Sequence, residues 1–136
     1  MENKLRLQIV TPYGLIFEDD VDEIAAAGSE GDFGVLPGHA PFLTGLKIGM
    51  LSYKKGNEVE FFFVNRGFAE IGHDKVVVLA DSAEKAEAID VERAKTAMKR
   101  AEERLKKAEE IDFARAEASL ERATIRIQIV EKRTTR

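Results

Sequence analysis

Lys4-Leu5-Arg6-Leu7-Gln8-Ile9 alternates polar and apolar residues without interruption. A period of two puts its two leucines and its isoleucine on one face, which is typical of a half-buried β-strand. Three later runs are rich in β-branched and aromatic residues and predict further strands. These runs are Ile48 to Tyr53, Val59 to Val64 and Val76 to Leu79.

Turn signals separate these runs. All ten glycines and all three prolines of the chain precede His73. Many short strands separated by turns predict a β-sandwich or a flattened barrel. Four clusters predict turns: Thr11-Pro12-Tyr13-Gly14, Lys55-Gly56-Asn57, Arg66-Gly67 and Gly72-His73-Asp74.

The second half of the chain has a different pattern. From Ser82 onward it contains no glycine or proline, and its apolar residues recur at helical spacing. Such stripes are typical of helices that each bury one face. A break at Glu109-Glu110-Ile111 permits two helices to pair as an antiparallel hairpin. The stripes are Ala94, Met98, Ala101, Leu105 and Ala108 in the first helix, and Phe113, Ala116, Leu120, Ala123, Ile127 and Val130 in the second.

Each predicted helix has an acidic residue at its start. Asp90 and Asp112 are placed to accept hydrogen bonds from the free N–H groups of the first turn. The sequence therefore predicts a two-domain α+β fold. Residues 1–85 form a β-sandwich or flattened barrel, and residues 86–136 form the antiparallel two-helix hairpin. The isoleucines before the caps are placed to act as hydrophobic staples: Ile89 against Ala94, and Ile111 against Ala116.

Composition excludes several classes of site. The 136 residues are 44% hydrophobic and 34% charged, which suits a folded chain. The chain has no cysteine and only two histidines, so disulfides, thiolate sites and histidine-rich metal sites are excluded. No apolar run reaches the roughly 18 to 20 residues of a spanning helix. The first ten residues lack the apolar segment of a signal peptide, so export is not expected.

Charge is distributed unevenly. From Glu84 onward there are 14 Lys/Arg and 12 Asp/Glu, which leaves 7 and 13 of the totals of 21 and 25 before that residue. The first part is thus near −6 and the last part near +2, within a net charge of −4. This split suggests two modules with different partners, and the balance is too acidic for a general nucleic-acid binder.

Five motifs distributed over the chain are specific enough to compare with known families. The longest and most specific runs from Gly28 to Leu43, GSEGDFGVLPGHAPFL. The shorter ones are Ile9-Val10-Thr11-Pro12, Val64-Asn65-Arg66-Gly67-Phe68-Ala69-Glu70-Ile71, Val78-Leu79-Ala80-Asp81-Ser82-Ala83-Glu84 and Ile89-Asp90-Val91-Glu92-Arg93-Ala94. Together they resemble the epsilon subunit of F-type ATP synthases over the whole chain.

The resemblance implies a non-catalytic rotor subunit. Its β-sandwich would sit at the foot of the gamma subunit against the ring of c subunits. Its hairpin would permit activity when folded down and inhibit ATP hydrolysis when extended along gamma, near the beta and alpha subunits. The missing transit peptide and the hairpin arginines favour a bacterial member, peripheral on the cytoplasmic face of the cell membrane and held there through the complex. A plastid-encoded subunit would also lack a transit peptide.

The Gly28–His39 segment is the first candidate site. Its glycines suggest a tight loop with positive φ angles. It can be a structural turn between strands, or a rotor contact loop with Glu30 and Asp32 facing the c ring and His39 near gamma, as the resemblance implies. It lacks the GK[ST] ending of a phosphate-binding loop. His39 has no serine or cysteine nucleophile beside it in a known catalytic arrangement.

The hairpin arginines are the second candidate. Arg93 and Arg100 share a face of the first helix, and Arg122 and Arg126 share a face of the second. Guanidinium forks suit phosphate oxygens. In some bacterial members of the family the folded hairpin binds ATP as a regulatory ligand, and the matching positions are Glu84, Asp90, Arg93, Ala94, Arg100, Arg122 and Arg126.

The alternative is a purely structural coupling subunit that binds no nucleotide. Asp90 is already explained as a helix cap, and charged helix faces are usually just solvated. Ile111-Asp112-Phe113-Ala114-Arg115-Ala116 repeats the pattern of the Ile89–Ala94 motif, so that motif partly reflects how helices begin. No catalytic cofactor is expected, and the sequence leaves open whether magnesium accompanies the nucleotide.

The basic C-terminal end is the third candidate. The last turns of the predicted second helix carry five cations and two carboxylates. The cations are Arg122, Arg126, Lys132, Arg133 and Arg136, and the carboxylates are Glu121 and Glu131. The cations can stabilise the helix C-terminus, or grip an acidic segment of the beta subunit in the extended state. A membrane-surface helix fits less well, because the apolar face is alanine-rich and lacks tryptophan.

The phenylalanine cluster predicts strand packing. Phe62 is expected to point to the opposite face from Phe61 and Phe63, with Phe68 packed nearby. If exposed, Phe62 would serve the gamma interface. Two rival functions remain weak: a hydrolase-like enzyme has no visible triad, metal cluster or phosphate loop, and an unrelated coiled-coil adaptor would leave the Gly28–Leu43 motif unexplained.

Overall fold

The computed structural model describes residues 4–107 and 110–135. Its contacts divide the chain into two units between Glu84 and Lys85. A short 3-10 helix at Ala86–Ala88 precedes the two helices of the second unit, α1 (Val91–Lys107) and α2 (Glu110–Thr135). The strands are β1 (Leu5–Thr11), β2 (Gly14–Val21), β3 (Glu23–Gly28), β4 (Gly31–Val35), β5 (Phe42–Lys55), β6 (Glu58–Ile71) and β7 (Lys75–Lys85).

The strands of the first unit form one sheet in the order β2-β1-β7-β6-β5-β3-β4. β1 and β7 run parallel, while β1 with β2, β3 with β4, β3 with β5, and β5 with β6 are antiparallel. The sheet folds over its own core, because the Phe17 ring on edge strand β2 lies 5.4 Å from the Tyr53 ring and 5.0 Å from the Phe62 ring. The β-sandwich prediction is therefore confirmed.

The core follows the alternation visible in the sequence. Leu5, Leu7 and Ile9 are fully buried in the first unit's core cluster, while Arg6 on the opposite face is exposed. Phe62 belongs to the same cluster and is 1% exposed, so it is not available to a partner. Phe61 and Phe63 point to the other face, as predicted.

Three strands were not predicted. β2 carries Glu18-Asp19-Asp20, β3 contains three consecutive alanines, and β4 contains two glycines. None of these compositions favours strands, and each segment is held by pairing with a neighbour. The Gly28–His39 segment is therefore only partly a loop, because Gly31–Val35 is β4.

The turn predictions are confirmed at three of four positions. β1 meets β2 after Thr11, β5 meets β6 after Lys55, and β6 meets β7 after Ile71. Arg66-Gly67 is not a turn and lies inside β6. There the φ angles are +50° at Arg66 and +152° at Gly67, so the strand kinks without reversing.

The second unit is an antiparallel helical hairpin. Glu87 before α1 contacts Arg133 near the end of α2 at 3.4 Å, and the Thr124 hydroxyl lies 4.0 Å from the Met98 sulfur farther along. Helix α1 begins at Val91, directly after the cap predicted at Asp90, and β7 extends to Lys85, just before the predicted second domain. Within the described residues no helix has the length and apolar character required to cross a bilayer.

Four alanines form the centre of the seam between the helices: Ala94, Ala101, Ala116 and Ala123 are at most 3% exposed. Phe113 was predicted in this seam but is 45% exposed. Ile129 is buried although it lies off the predicted stripe. Ala108, Glu109 and Arg136, together with the side chains of Glu110 and Ile111, lie outside the described residues.

The two helix starts differ. The Arg93 N–H donates to the Asp90 side chain at 3.0 Å, so Asp90 caps α1 as predicted. Asp112 is not a cap, because α2 begins two residues earlier at Glu110. It lies in the first turn instead, where a carboxylate still favours the positive end of the helix dipole.

Candidate functional site

An exposed apolar stripe crosses the outer face of the first unit. Val10 on β1 pairs with Leu15 on β2 and with Leu79 on β7. The Leu79 backbone lies against Gly67 of β6, next to Phe68, which follows in the chain. Leu43 lies two residues from Gly45, the β5 partner of Phe68. We call this set the apolar stripe: Val10, Leu15, Leu43, Phe68 and Leu79.

Phe68 and Leu79 of the apolar stripe are exposed because they alternate with core residues along their strands. Ala69 and Ile71 point into the core, so Phe68 points away from it. Val78 and Ala80 flank Leu79 in the same way. The expectation that Phe68 packs within the sheet is therefore wrong. The exposed fractions are 70% for Leu43, 59% for Phe68, 53% for Leu15 and 52% for Leu79.

The acidic turn adjoins one end of the apolar stripe. Glu30 lies exposed between β3 and β4, and Asp32 lies exposed on β4. The neighbouring Ser29 N–H donates to the Gly45 carbonyl on β5 at 2.9 Å. The turn that carries the two carboxylates is therefore fixed beside β5.

His39 lies in the loop between β4 and β5. Its Nδ1 is 2.7 Å from the Ala40 carbonyl oxygen, and its ring centroid is 5.2 Å from that of Phe42. The Gly38 N–H donates to the His73 carbonyl at 2.7 Å, which ties this loop to the β6–β7 turn. His39 is thus held by local packing, and it does not contact Glu30 or Asp32 through any bond found among the described residues.

A network of ion pairs holds edge strand β2. Arg6 bonds Glu18 and Asp20 at 3.1 Å each, Gln8 bonds Glu18 at 2.6 Å, and Lys55 bonds Asp19 at 2.7 Å. The Gln8 and Arg6 hydrogen bonds lower the pKa of Glu18, and the Lys55 hydrogen bond lowers the pKa of Asp19. These contacts are structural, since they join β2 to β1 and β5.

The hairpin distributes the predicted nucleotide residues over several environments. Arg93 and Arg100 are exposed on α1, while Arg122 and Arg126 are half-buried on α2. The Glu87–Arg133 and Met98–Thr124 contacts fix how α1 and α2 align along the hairpin axis. In this alignment Arg93 and Arg126 are separated by no more than about one helical turn along that axis.

The remaining predicted positions are less suited to side-chain contact with a ligand. Ala94 is buried in the seam, and Asp90 is engaged as the cap of α1. Arg122 donates to the Ser119 hydroxyl at 3.2 Å. Glu84 lies on β7 in the first unit, whereas the other six positions lie in the second.

The structure groups Arg100 with three cations that were not predicted as site residues. Arg100 lines a cleft of about 540 Å³ together with Arg104, Lys107 and Arg115. Arg93, Arg122 and Arg126 do not line this cleft. At the other end of the hairpin, Arg133 pairs with Glu87, so part of the basic C-terminal end is engaged within the unit.

Two family models match the chain in the order of its two units. The model described as "ATP synthase, Delta/Epsilon chain, beta-sandwich domain" matches residues 4–86, and the corresponding "long alpha-helix domain" matches residues 87–131. Relatives from Thermodesulfovibrio yellowstonii and Geotalea daltonii, both named ATP synthase epsilon chain, are each 57% identical over 106 residues. These alignments cover 78% of this chain and 76% and 77% of the relatives. The chain belongs to the ATP synthase epsilon chain family. As an epsilon chain, it is a non-catalytic subunit of an ATP synthase and not an enzyme in its own right.

Two solved structures share the epsilon-chain fold. A chain of the Euglena gracilis mitochondrial ATP synthase, in a structure of OSCP, F1 and c-ring, matches with a TM-score of 0.83 at 23% identity, over 98% of this chain and 83% of that chain. A chain of the Tetrahymena thermophila mitochondrial ATP synthase central stalk and c-ring matches with a TM-score of 0.59 at 17% identity, over 97% of both chains. At identities this low the likeness establishes the fold alone.

The apolar stripe of this epsilon chain was missed from the sequence. Leu79 lies in the run Val76 to Ala80, which is apolar on both faces, and such runs normally indicate strands buried on both sides. The informative signal would have been the pairing of Val10 with Leu79, which depends on a parallel contact between the first and last strands. That contact is a tertiary feature that a single sequence does not display.

Proposed function

We propose that this epsilon chain couples the gamma subunit to the c ring of an F-type ATP synthase, and that its hairpin regulates ATP hydrolysis. The observation that carries the coupling role is the apolar stripe. Monomeric proteins rarely expose contiguous apolar patches larger than a few hundred Å², and such patches rimmed by polar groups mark interaction sites. The stripe lies on rigid sheet, which suits transmission of torque between two partners.

The acidic turn supports a second contact in the coupling role. Glu30 and Asp32 project at the end of the first unit beside the β5 portion of the apolar stripe. In the proposed assembly the apolar stripe and His39 face gamma, and the two carboxylates face the c ring. The chain then lies peripherally at the membrane through the complex, on its cytoplasmic face.

The hairpin supports a regulatory role. Its seam centres on four alanines, which bury much less apolar area than leucines in the same positions. A weak seam permits the helices to separate at modest free-energy cost. In the proposed cycle ATP holds the folded hairpin through Arg93, Arg122 and Arg126, and the extended hairpin inhibits hydrolysis near the beta and alpha subunits.

The coupling role is tested by binding of the full chain to the isolated gamma subunit. Leu43→Glu combined with Phe68→Glu places two carboxylates in the apolar stripe. We expect affinity for gamma to fall at least about a hundredfold, because two apolar side chains are lost from the interface. Phe113→Glu is the matched control, since Phe113 is also exposed but lies on α2, and we expect a change below about twofold. Equal affinities for the double variant and the native chain would contradict the proposal.

The nucleotide role is tested by calorimetric titration of the isolated chain with ATP. Arg93→Ala and Arg126→Ala should each weaken binding about tenfold or more, because each removes a charge-assisted contact to phosphate. Lys99→Ala removes an exposed charge from the same helix as Arg93 and should leave affinity nearly unchanged. If ATP does not bind at concentrations of about 10 mM, the chain is a purely structural coupling subunit.

A further inference from the structure

A cationic cleft lies at the end of the hairpin where α1 ends and α2 begins. Its volume is about 540 Å³, within the range of small-molecule sites. Four cations line it: Arg100, Arg104 and Lys107 from α1, and Arg115 from α2. Among the described residues the lining also includes two carboxylates, Glu103 and Asp112. We refer to this set as the turn-end cleft, and these six charged side chains together carry a net charge near +2.

Helical spacing explains why these side chains converge. Arg100, Arg104 and Lys107 are separated by four and three residues, so they lie on one face of α1. Asp112 and Arg115 are three apart and share a face of α2. The hairpin turns these two faces toward a common cleft. Binding there would therefore engage both helices at once.

The cations of the turn-end cleft are not neutralised by salt bridges among the described residues. Two other cations of the hairpin do pair: Lys95 lies 3.8 Å from Glu92, and Arg133 lies 3.4 Å from Glu87. A cleft with several unneutralised guanidiniums attracts anions, and guanidinium forks match phosphate oxygens in a bidentate way.

Stabilisation of the helix ends does not account for all four cations. Arg104 and Lys107 lie in the last turn of α1, where cations favour the negative end of the helix dipole. Arg115 lies in the second turn of α2, near the positive end of that helix, where a cation gains nothing from the dipole. Its presence beside the α1 cations is explained better by a shared anionic ligand.

We propose that the turn-end cleft binds an oligophosphate anion. Of the arginines predicted for the nucleotide site, Arg100 lines the cleft, whereas Arg93, Arg122 and Arg126 do not. The ligand chemistry is a chain of two or three phosphates, free or carried by a nucleotide. Because both helices contribute cations, the bound anion stabilises the closed hairpin by mass action. This site goes beyond the proposed nucleotide role and does not depend on it.

The test titrates the full chain with inorganic triphosphate, followed by calorimetry and by amide chemical shifts. Saturable binding with a dissociation constant below about 1 mM is expected, with the largest shifts around residues 100–107 and 112–116. Arg104→Ala combined with Arg115→Ala should weaken it at least about tenfold, because two phosphate contacts are lost. Lys99→Ala combined with Lys106→Ala is the matched control: it removes the same charge from exposed α1 positions outside the cleft, and it should change affinity less than about twofold.

The other outcomes separate the two proposals. If Arg93→Ala with Arg126→Ala weakens ATP binding but leaves triphosphate binding intact, both sites exist. If that variant abolishes triphosphate binding while Arg104→Ala with Arg115→Ala does not, the turn-end cleft is not the site. If the cleft variant and the lysine control weaken triphosphate binding equally, the effect comes from the overall charge of the helix, and the proposal is overturned. Absence of triphosphate binding at about 10 mM would also overturn it.

Circular dichroism melting of each variant confirms that the hairpin remains folded. Triphosphate should raise the melting temperature of the native hairpin but not that of the cleft variant.

Discussion

At the residue scale, Gly67 is the glycine with the least room for a side chain. Its φ angle of +152° is one that L-residues with side chains rarely adopt. A Cβ atom there would meet the Leu79 carbonyl oxygen at 1.9 Å and the Ala80 Cα at 2.9 Å. Both obstacles are backbone of β7, which cannot move without disturbing the sheet. The glycine therefore permits β6 and β7 to approach closely where β6 kinks.

We expect Gly67→Ala to lower the free energy of unfolding by about 3 kcal/mol, because it adds backbone strain to a steric clash. Chemical denaturation followed by circular dichroism measures this loss. Gly56→Ala is the control. Gly56 also has a positive φ, +63°, but open space surrounds its Cβ position, so only about 1 kcal/mol should be lost. Equal losses in the two variants would show that the clash has no role.

At the element scale, ion pairs add to the hydrogen-bond ladder that holds edge strand β2 and the Asp22 that follows it. Asp22 pairs with Lys4 and accepts the Gly56 N–H at 2.7 Å, and Asp19 accepts from Lys55. The Lys4 hydrogen bond lowers the pKa of Asp22, as the Lys55 hydrogen bond lowers that of Asp19. A carboxyl whose pKa is lowered by folding stabilises the fold above its unfolded pKa, and that contribution is lost as pH falls through the folded value.

Acidification should therefore destabilise the first unit below about pH 4, the region of the ordinary carboxyl pKa. Asp19→Asn combined with Asp22→Asn should be less stable than the native chain at neutral pH and should lose less on acidification. The near-ultraviolet signal of Tyr53, which is buried in the core, reports unfolding of this unit. Asp32→Asn, on exposed β4, serves as the control and should follow the native profile. A double variant with the native pH profile would argue against the network.

In the hairpin, the helical spacing of apolar residues predicted some buried positions correctly and others wrongly. The heptad-like spacing identified Ala94, Ala101, Ala116 and Ala123, and all four are buried. It also selected Phe113, which is exposed, and it missed Ile129. A stripe indicates which face of a helix is apolar, but where along that face packing begins and ends depends on what lies opposite. The cap at Asp90 was predictable because capping is a local interaction.

At the scale of the whole molecule, the chain joins two units of different chemistry. The acidic β unit presents an apolar stripe beside an acidic turn, while the basic helical unit presents clustered cations. In the proposed assembly this division suits one unit that docks on its partners and a second that responds to anionic ligands. The charge difference was visible in the sequence, whereas the apolar stripe required the sheet to be assembled.

The sequence by itself determined the class of fold, the β unit followed by a hairpin, most of the turns and the family, because alternation, helical spacing, glycine clusters and the Gly28–Leu43 motif are local signals. Tertiary structure alone decided that the acidic segment Gly14–Val21 is an edge strand and that Gly67 is a kink. It also decided that Leu15, Leu79, Phe68 and Leu43 form one exposed stripe, and that Arg100 joins Arg104 and Arg115 in a cleft. Each of these depends on contacts between residues far apart in the chain, where the pairing partner, rather than local preference, determines which face a side chain occupies.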